Sequence, residues 1–235
     1  MLSPTRRAAT AALTAILLTA CGGANTGNAQ GGSSEAETLA LTDISIGNED
    51  APVTVVEYAS WTCPACLQFH TDVIPMLKSD YVETGKVKFV FREFPTPPAN
   101  ISVAGFALAR CAGEENYYNV IDDLFAAQTN ILNLARSGGD IEAAMRDLAS
   151  SYSIEGDGFN DCLSNKDVTY AIGESVMKGD SQGVNSTPTV FVNGEKLQGF
   201  EWRNADGMRA ILDAELGPDA SAQPETEPGT EPGTE

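Results

Sequence analysis

The chain has 235 residues, 42% of them hydrophobic and 20% charged. That is enough apolar content to bury a core in one domain, or in one domain carrying an insertion, and it excludes a chain disordered throughout. Lys and Arg number 14 against 33 Asp and Glu, a net charge of −19 that argues against a nucleic-acid partner, since phosphate binding needs clustered cations.

Arg6 and Arg7 precede an apolar stretch, Ala8 to Ala20, and then Cys21 and a run of Gly, Asn, Ser and Gln. A charged start, a short apolar segment and a polar exit form a secretory signal layout, and the segment is well short of the roughly 20 residues that span a bilayer. Leu18-Thr19-Ala20-Cys21 resembles the lipobox of bacterial lipoproteins. The resemblance implies cleavage before Cys21, lipidation of its sulfur and an N-terminal lipid anchor; the other reading is a later cut, after Asn28-Ala29, releasing a soluble exported protein. Residues 1–20 are thus expected to be a signal peptide and 21–42 a lipidated Cys with a flexible tether.

Five Cys occur: Cys21, Cys63, Cys66, Cys111 and Cys162. An odd count in an exported protein is awkward unless one thiol is committed elsewhere. Lipidation of Cys21 leaves four, with Cys63 and Cys66 paired by proximity and Cys111 with Cys162 as a structural disulfide, closing a loop for roughly 4 kcal/mol on a chain-entropy account.

Along the body, Val53 to Tyr58 is a short β-branched run that reads as a buried strand. From Pro64 the pattern turns helical, with Cys66, Phe69, Val73 and Met76 or Leu77 at helical spacing, until Gly85. Lys86 to Arg92 alternates with period two, a second strand parallel to the first through a βαβ crossover, closed by Pro95, Pro97 and Pro98. Ile101 to Met177 reads as several helices broken at Gly113, Gly138-Gly139 and Gly156 to Gly158. Thr187 to Val192 is a strand, Asn193-Gly194 a hairpin turn, Lys196-Leu197 the return strand, and Trp202 to Leu216 a closing helix stopped by Gly217-Pro218. The expected order is therefore an α/β fold: a mixed central sheet with an inserted helical domain. Its parts are residues 43–98, the insertion 99–180, residues 181–217, and a disordered acidic tail over 218–235, where Thr-Glu-Pro-Gly repeats.

Chemistry concentrates at Cys63-Pro64-Ala65-Cys66, where strand gives way to helix. A helix N-terminus favours the thiolate of the first Cys, and Pro suits the first helical turn because its missing N–H has no intrahelical partner there. Cys63 is the expected nucleophile. Cys66, one turn on, is placed to resolve a mixed disulfide formed at Cys63.

Glu57 to Cys66, with Phe69-His70 and the distant Thr187-Pro188-Thr189, resembles the DsbA-like members of the thioredoxin superfamily, over roughly residues 45–216. The resemblance implies a thioredoxin-like fold with an inserted helical domain. It implies a cis Thr187-Pro188 bond beside the cysteines, with the Thr187 backbone pairing to a substrate strand. It also implies that Glu57 is a buried acid moving the proton of Cys66, and that Trp61 borders the active-site groove. His70 is expected to pack more than to tune the thiols. Ala65 departs from the pattern, because well-known oxidases of the family carry His there to stabilise the thiolate. The expected potential lies between the DsbA and thioredoxin values of about −120 and about −270 mV.

The resulting expectation is a thiol:disulfide oxidoreductase with Cys63, Cys66, Glu57, Thr187 and Pro188 as site residues, no cofactor beyond the redox-active disulfide, and no metal. Its partners are cysteine-containing or unfolded exported proteins, a membrane redox-recycling partner, and a membrane reached through the lipid on Cys21; the protein is expected to be a monomer of the bacterial cell envelope or periplasm. A reductase or isomerase is the alternative within that class. A metal-binding or copper-carrying module is the rival from outside it, disfavoured because Cys111 and Cys162 stand too far apart in sequence for a Cys₄ zinc pattern.

Overall fold

The computed structural model describes residues 43–218; the signal stretch, Cys21, the tether and the tail beyond Pro218 lie outside them. Strand β1 (Ser45–Ile46) is a two-residue edge ahead of the two apolar strands that organise the sheet. In β2 (Val53–Ala59), Val53, Val55 and the last three residues are buried. β3 (Val87–Glu93) lies parallel beside it, with Val53 opposite Val87 and Ala59 opposite Glu93.

Parallel neighbours need a crossover, which starts with α1 (Pro64–Asp72). The helix expected to run on unbroken stops at Val73, and α2 (Ile74–Leu77) and a π-helical turn (Lys78–Val82) follow. Pro75 is the cause: it has no N–H for the carbonyl four residues back, and its ring crowds that carbonyl.

Five helices lie between β3 and the next strand: α3 (Ala99–Cys111), α4 (Glu114–Ser137), α5 (Ile141–Ser150), α6 (Asp157–Leu163) and α7 (Lys166–Ser181). Gly113 at φ 85° precedes α4 and Gly138, left-handed at φ 71°, ends it. Asp140 caps α5 through the Ala143 N–H, and Asn165 caps α7 through the N–H groups of Asp167 and Val168. Phe106 and Leu108 of α3, with Ile121, Leu124, Phe125 and Ile131 of α4, share one apolar core with Val53, Val55 and Phe89 of the sheet. The helices are thereby packed onto the strands that carry the site.

β4 (Thr189–Val192) returns antiparallel to β2, and β5 (Glu195–Lys196) antiparallel to β4, giving the order β1-β3-β2-β4-β5. The ladder starts at Thr189 and not at Thr187, because Pro188 has no N–H to contribute. Asn193 and Gly194, at φ 50° and 84°, form the expected hairpin turn. The closing helix α8 (Ala205–Leu216) begins three residues later than Trp202. Glu201–Arg203 instead makes a 3-10 turn, and the Asn204 side chain accepts the Gly207 N–H to start α8. Trp202 is buried against Phe69 of α1, with ring centroids 5.6 Å apart.

Cys111 at the end of α3 is disulfide-bonded to Cys162 in α6, with Cα atoms 6.0 Å apart. Among the described residues no helix is long and apolar enough to cross a membrane.

Candidate active site

β2 ends inside the core and the chain must turn to begin α1, which delivers Cys63 to the helix N-cap with extended backbone (φ −86°, ψ 122°) and Pro64 in the first turn. The Cys63 N–H closes the turn onto the Ser60 carbonyl at 3.0 Å. Cys63 and Cys66 are both free thiols; Cys63 is half-buried beside the exposed Pro64, and Cys66 is fully buried. One sulfur is therefore open to a partner and the other is not.

Their acidities diverge for identifiable reasons. The Cys63 thiol is lowered to about 5, chiefly because the Cys66 thiol donates to it. Partial burial opposes the shift, while the Thr187 side chain and the N–H groups of Cys66 and Ala65 reinforce it. In the protonated state the Cys63 Sγ instead donates to the Thr187 carbonyl at 3.5 Å. Cys66 is pushed far up, first by burial, then by its hydrogen bond to Cys63 and by the charges of Glu57 and Cys63.

Glu57 stands on central strand β2, opposite Phe91 of β3 and Val190 of β4, and only 1% of it is exposed. Its Oε1 has no hydrogen-bond partner, and burial, followed by the charge of Cys63, raises its carboxyl to about 8. A buried carboxyl holding its proton near neutrality, electrostatically coupled to both thiols, is equipped to give and take a proton. Thr187, whose carbonyl meets the Cys63 sulfur, is joined by a cis bond to the buried Pro188, just ahead of β4.

Of two further residues near the motif, Trp61 departs from expectation and His70 follows it. Trp61 does not border the groove: it is fully buried, and its Nε1 donates to the Ser102 carbonyl at 2.9 Å. α3 covers it, and Gly105 permits the approach, since a Cβ there would lie 2.3 Å from the indole nitrogen. His70 shares a helix with the cysteines but turns to α4, stacking on Phe125 at 4.2 Å and meeting Asp122 at 3.2 Å.

Sequence reasoning missed Gln128 of α4. It is 3% exposed, and its Nε2 donates to the Trp61 carbonyl at 2.6 Å and the Cys63 carbonyl at 3.0 Å. A signal existed: Gln128 interrupts the apolar row of Ile121, Leu124, Phe125 and Ile131 at helical spacing, and a polar residue on a core-facing row needs a partner. A second network was equally unmarked. Ser60 Oγ meets Thr62 Oγ1 and Ser102 Oγ, each at 2.8 Å, and Thr62 Oγ1 meets Thr96 Oγ1 at 3.1 Å, tying the turn to α3 and its approach.

Among the described residues no group of three or more His, Cys, Asp or Glu side chains converges as metal ligands would.

The chain is 28% identical over 159 residues to a relative in Rickettsia bellii named for protein-disulfide oxidoreduction, covering 67% of this chain but only 60% of that protein. It is 26% identical over 181 residues to disulfide bond formation protein D of Bacillus subtilis, 73% of this chain and 76% of that one. Among solved structures, α-DsbA1 of Wolbachia pipientis superposes with a TM-score of 0.64 at 26% identity, covering 77% of this chain and 96% of that one. Oxidised BdbD of Bacillus subtilis gives 0.62 at 23% identity over 74% and 92%, a likeness of fold. A family model described as Thioredoxin matches residues 39–214, from ahead of β1 to within α8. With nearly all of the described body inside that match, the chain is a member of the thioredoxin family.

Proposed function

We propose that this protein is a thiol:disulfide oxidoreductase that introduces disulfide bonds into exported proteins through Cys63 and Cys66. The observation that carries the reading is the asymmetry of the pair: Cys63 half-buried at the N-cap of a helix, Cys66 one turn on and fully buried, an arrangement that lowers the pKa of the first thiol and raises that of the second. A low-pKa thiolate is a good leaving group and stabilises the reduced pair, which makes the disulfide an oxidant.

In the oxidised protein a substrate thiolate attacks Cys63 Sγ, and the Cys63–Cys66 bond breaks as the substrate–Cys63 bond forms. Cys66 leaves with the electron pair and, being a weak acid, takes a proton; Glu57, protonated near neutral pH, supplies it. A second substrate thiolate then attacks the substrate sulfur of the mixed disulfide and expels Cys63 as a thiolate. Two electrons end on the cysteine pair, and a membrane partner removes them. Thr187 offers its backbone carbonyl beside Cys63 for an incoming strand. The redox work rests on the two sulfurs, with no further cofactor.

The residues ahead of the body support export and a lipid anchor at Cys21, and the Cys111–Cys162 bridge suits an oxidising compartment. On this reading the protein is tethered in the cell envelope and is proposed to act as a monomer. Ala65, which gives the Cys63 sulfur no side-chain hydrogen bond, is the observation that keeps a reductase or isomerase as the second reading, since it weakens the oxidant.

Cys63→Ser is expected to abolish exchange, and Cys66→Ser, whose Cys63 thiolate attacks a disulfide of an exported protein, expels one substrate thiolate and has no second cysteine to release the adduct, to accumulate mixed disulfides with exported proteins on non-reducing gels. Turnover surviving the first change, or no adducts with the second, overturns the reading.

A further inference from the structure

Gln128 lies in α4, more than 60 residues along the chain from the turn it holds. Both hydrogens of its side-chain amide are used, one on the Trp61 carbonyl and one on the Cys63 carbonyl, and the residue is almost wholly buried. The Trp61–Thr62 peptide is thus gripped at both ends, its carbonyl by Gln128 and its N–H by Ser60 Oγ at 3.3 Å. Cys63 is gripped likewise, its N–H on the Ser60 carbonyl and its carbonyl shared between Gln128 and the Leu67 N–H at 3.1 Å. The neighbours of Gln128 on that face of α4 reach other groups: Asp122 and Phe125, six and three positions earlier, hold the His70 side chain of α1, Asp122 also meets Lys78, and Phe125 packs on Phe91. Only Gln128 in this row reaches the backbone of the nucleophile.

The geometry matters because of where the carbonyl dipoles point. A carbonyl oxygen turned towards Cys63 Sγ would disfavour negative charge there, whereas N–H groups favour it. With the Trp61 and Cys63 carbonyls drawn towards α4, the groups of the turn's own backbone that face the sulfur are the N–H donors of Ala65 and Cys66, while the Thr187 carbonyl meets it from the segment ahead of β4. We propose that Gln128 is a positioning residue for disulfide exchange, by which the helical insertion fixes the Cys63 backbone and keeps its sulfur at the open, N–H-lined end of α1. The inference rests on the oxidoreductase reading and deepens it, assigning the insertion a part in setting the reactivity of the dithiol.

The test uses two variants of near-equal shape. Gln128→Met keeps the volume without donors; Gln128→Glu keeps the outline but aims oxygen at both carbonyls. In the reduced protein the Cys63 thiolate is titrated by its absorbance near 240 nm, and the equilibrium with glutathione is measured alongside thermal stability. The expected result is a thiolate titration displaced to higher pH by about one unit for Met and further for Glu, with the equilibrium moved about tenfold towards the disulfide. A residue that merely packs would change melting temperature and leave titration and equilibrium in place, and that result overturns the proposal. If Gln128→Met does not fold, Gln128→Asn, too short to reach both carbonyls, provides the same comparison. A wild-type thiol that titrates at its ordinary value would instead overturn the oxidoreductase reading, so the two failures are distinguishable.

Discussion

Glu57 presents the sharpest conflict between stability and use, because nothing in a packed sheet gains from an unpaired carboxyl. Its folded pKa of about 8 lies above the ordinary 4.5, so between those values the folded state keeps a proton that the unfolded chain releases. Stability from this group is complete below pH 4.5 and is lost as pH rises towards 8, about 3 kcal/mol of it by pH 7. Glu57→Gln removes the titration. The variant is expected to gain on the wild type steadily from pH 4.5 to 8 in denaturant melts, while exchange slows at least tenfold because Cys66 departs without a proton donor. Parallel stability curves for the two proteins across that window would show that the carboxyl is ionised, or hydrated, when folded. Residue-level chemistry was legible in sequence where it is local: the thiol pair at a helix start, and an acid inside a β-branched run. Trp61 was not, because α3, distant in sequence, decides whether an indole beside the nucleophile meets solvent or a carbonyl.

At the scale of elements, the strands read clearly because burial on two faces demands continuous apolar runs, as in Val53–Ala59 and Thr189–Val192. β1 escaped notice, since two residues carry no periodicity. The break at Val73 was legible in Pro75 but outweighed by the apolar spacing around it. Contacts between elements were the least visible: Gln128 on the turn, and the Glu93–Arg110 pair, 2.7 Å apart and nearly solvent-free, which joins β3 to α3 with Tyr117 as a further donor at 2.8 Å. The Cys111–Cys162 bridge ties α3, which carries both Arg110 and the Trp61 contact, to α6. Replacing both cysteines by Ser is expected to cost up to about 4 kcal/mol, on the order of 10 °C in melting temperature, with exchange at Cys63 changed less than twofold at temperatures where the variant is folded. Activity lost at unchanged stability would mean that the bridge acts on the thiols and not on the scaffold.

For the molecule as a whole, the redox state and the fold are linked through one proton. Only the reduced protein carries the Cys63 thiolate, whose folded pKa of about 5 lies below its ordinary 9.0. A lowered acid stabilises the fold above its unfolded pKa, and that contribution is lost as pH falls through 5, so the reduced form gains on the oxidised form from pH 5 to pH 9. With the sulfur half exposed, solvent screening leaves about 2 kcal/mol of the gain at pH 7. Glu57 opposes it in part, since the thiolate's charge raises that carboxyl, but burial is the larger cause there and acts in both redox states. The net slope therefore keeps its sign. Thermal melts of the two forms at pH 5 and pH 8 are expected to diverge, with the reduced protein rising by several degrees relative to the oxidised one, and Cys63→Ala should abolish the pH dependence attributable to this group. Under the proposed function, the same difference in folding free energy is, by the closed cycle of folding and reduction, the driving force for passing the disulfide to a substrate. On that reading a pair that favours reduction only by way of the folded body would draw its oxidising strength from the whole scaffold, sheet and insertion together. Equal pH dependence in both redox states would break that link and return the pair to the potential of an ordinary dithiol.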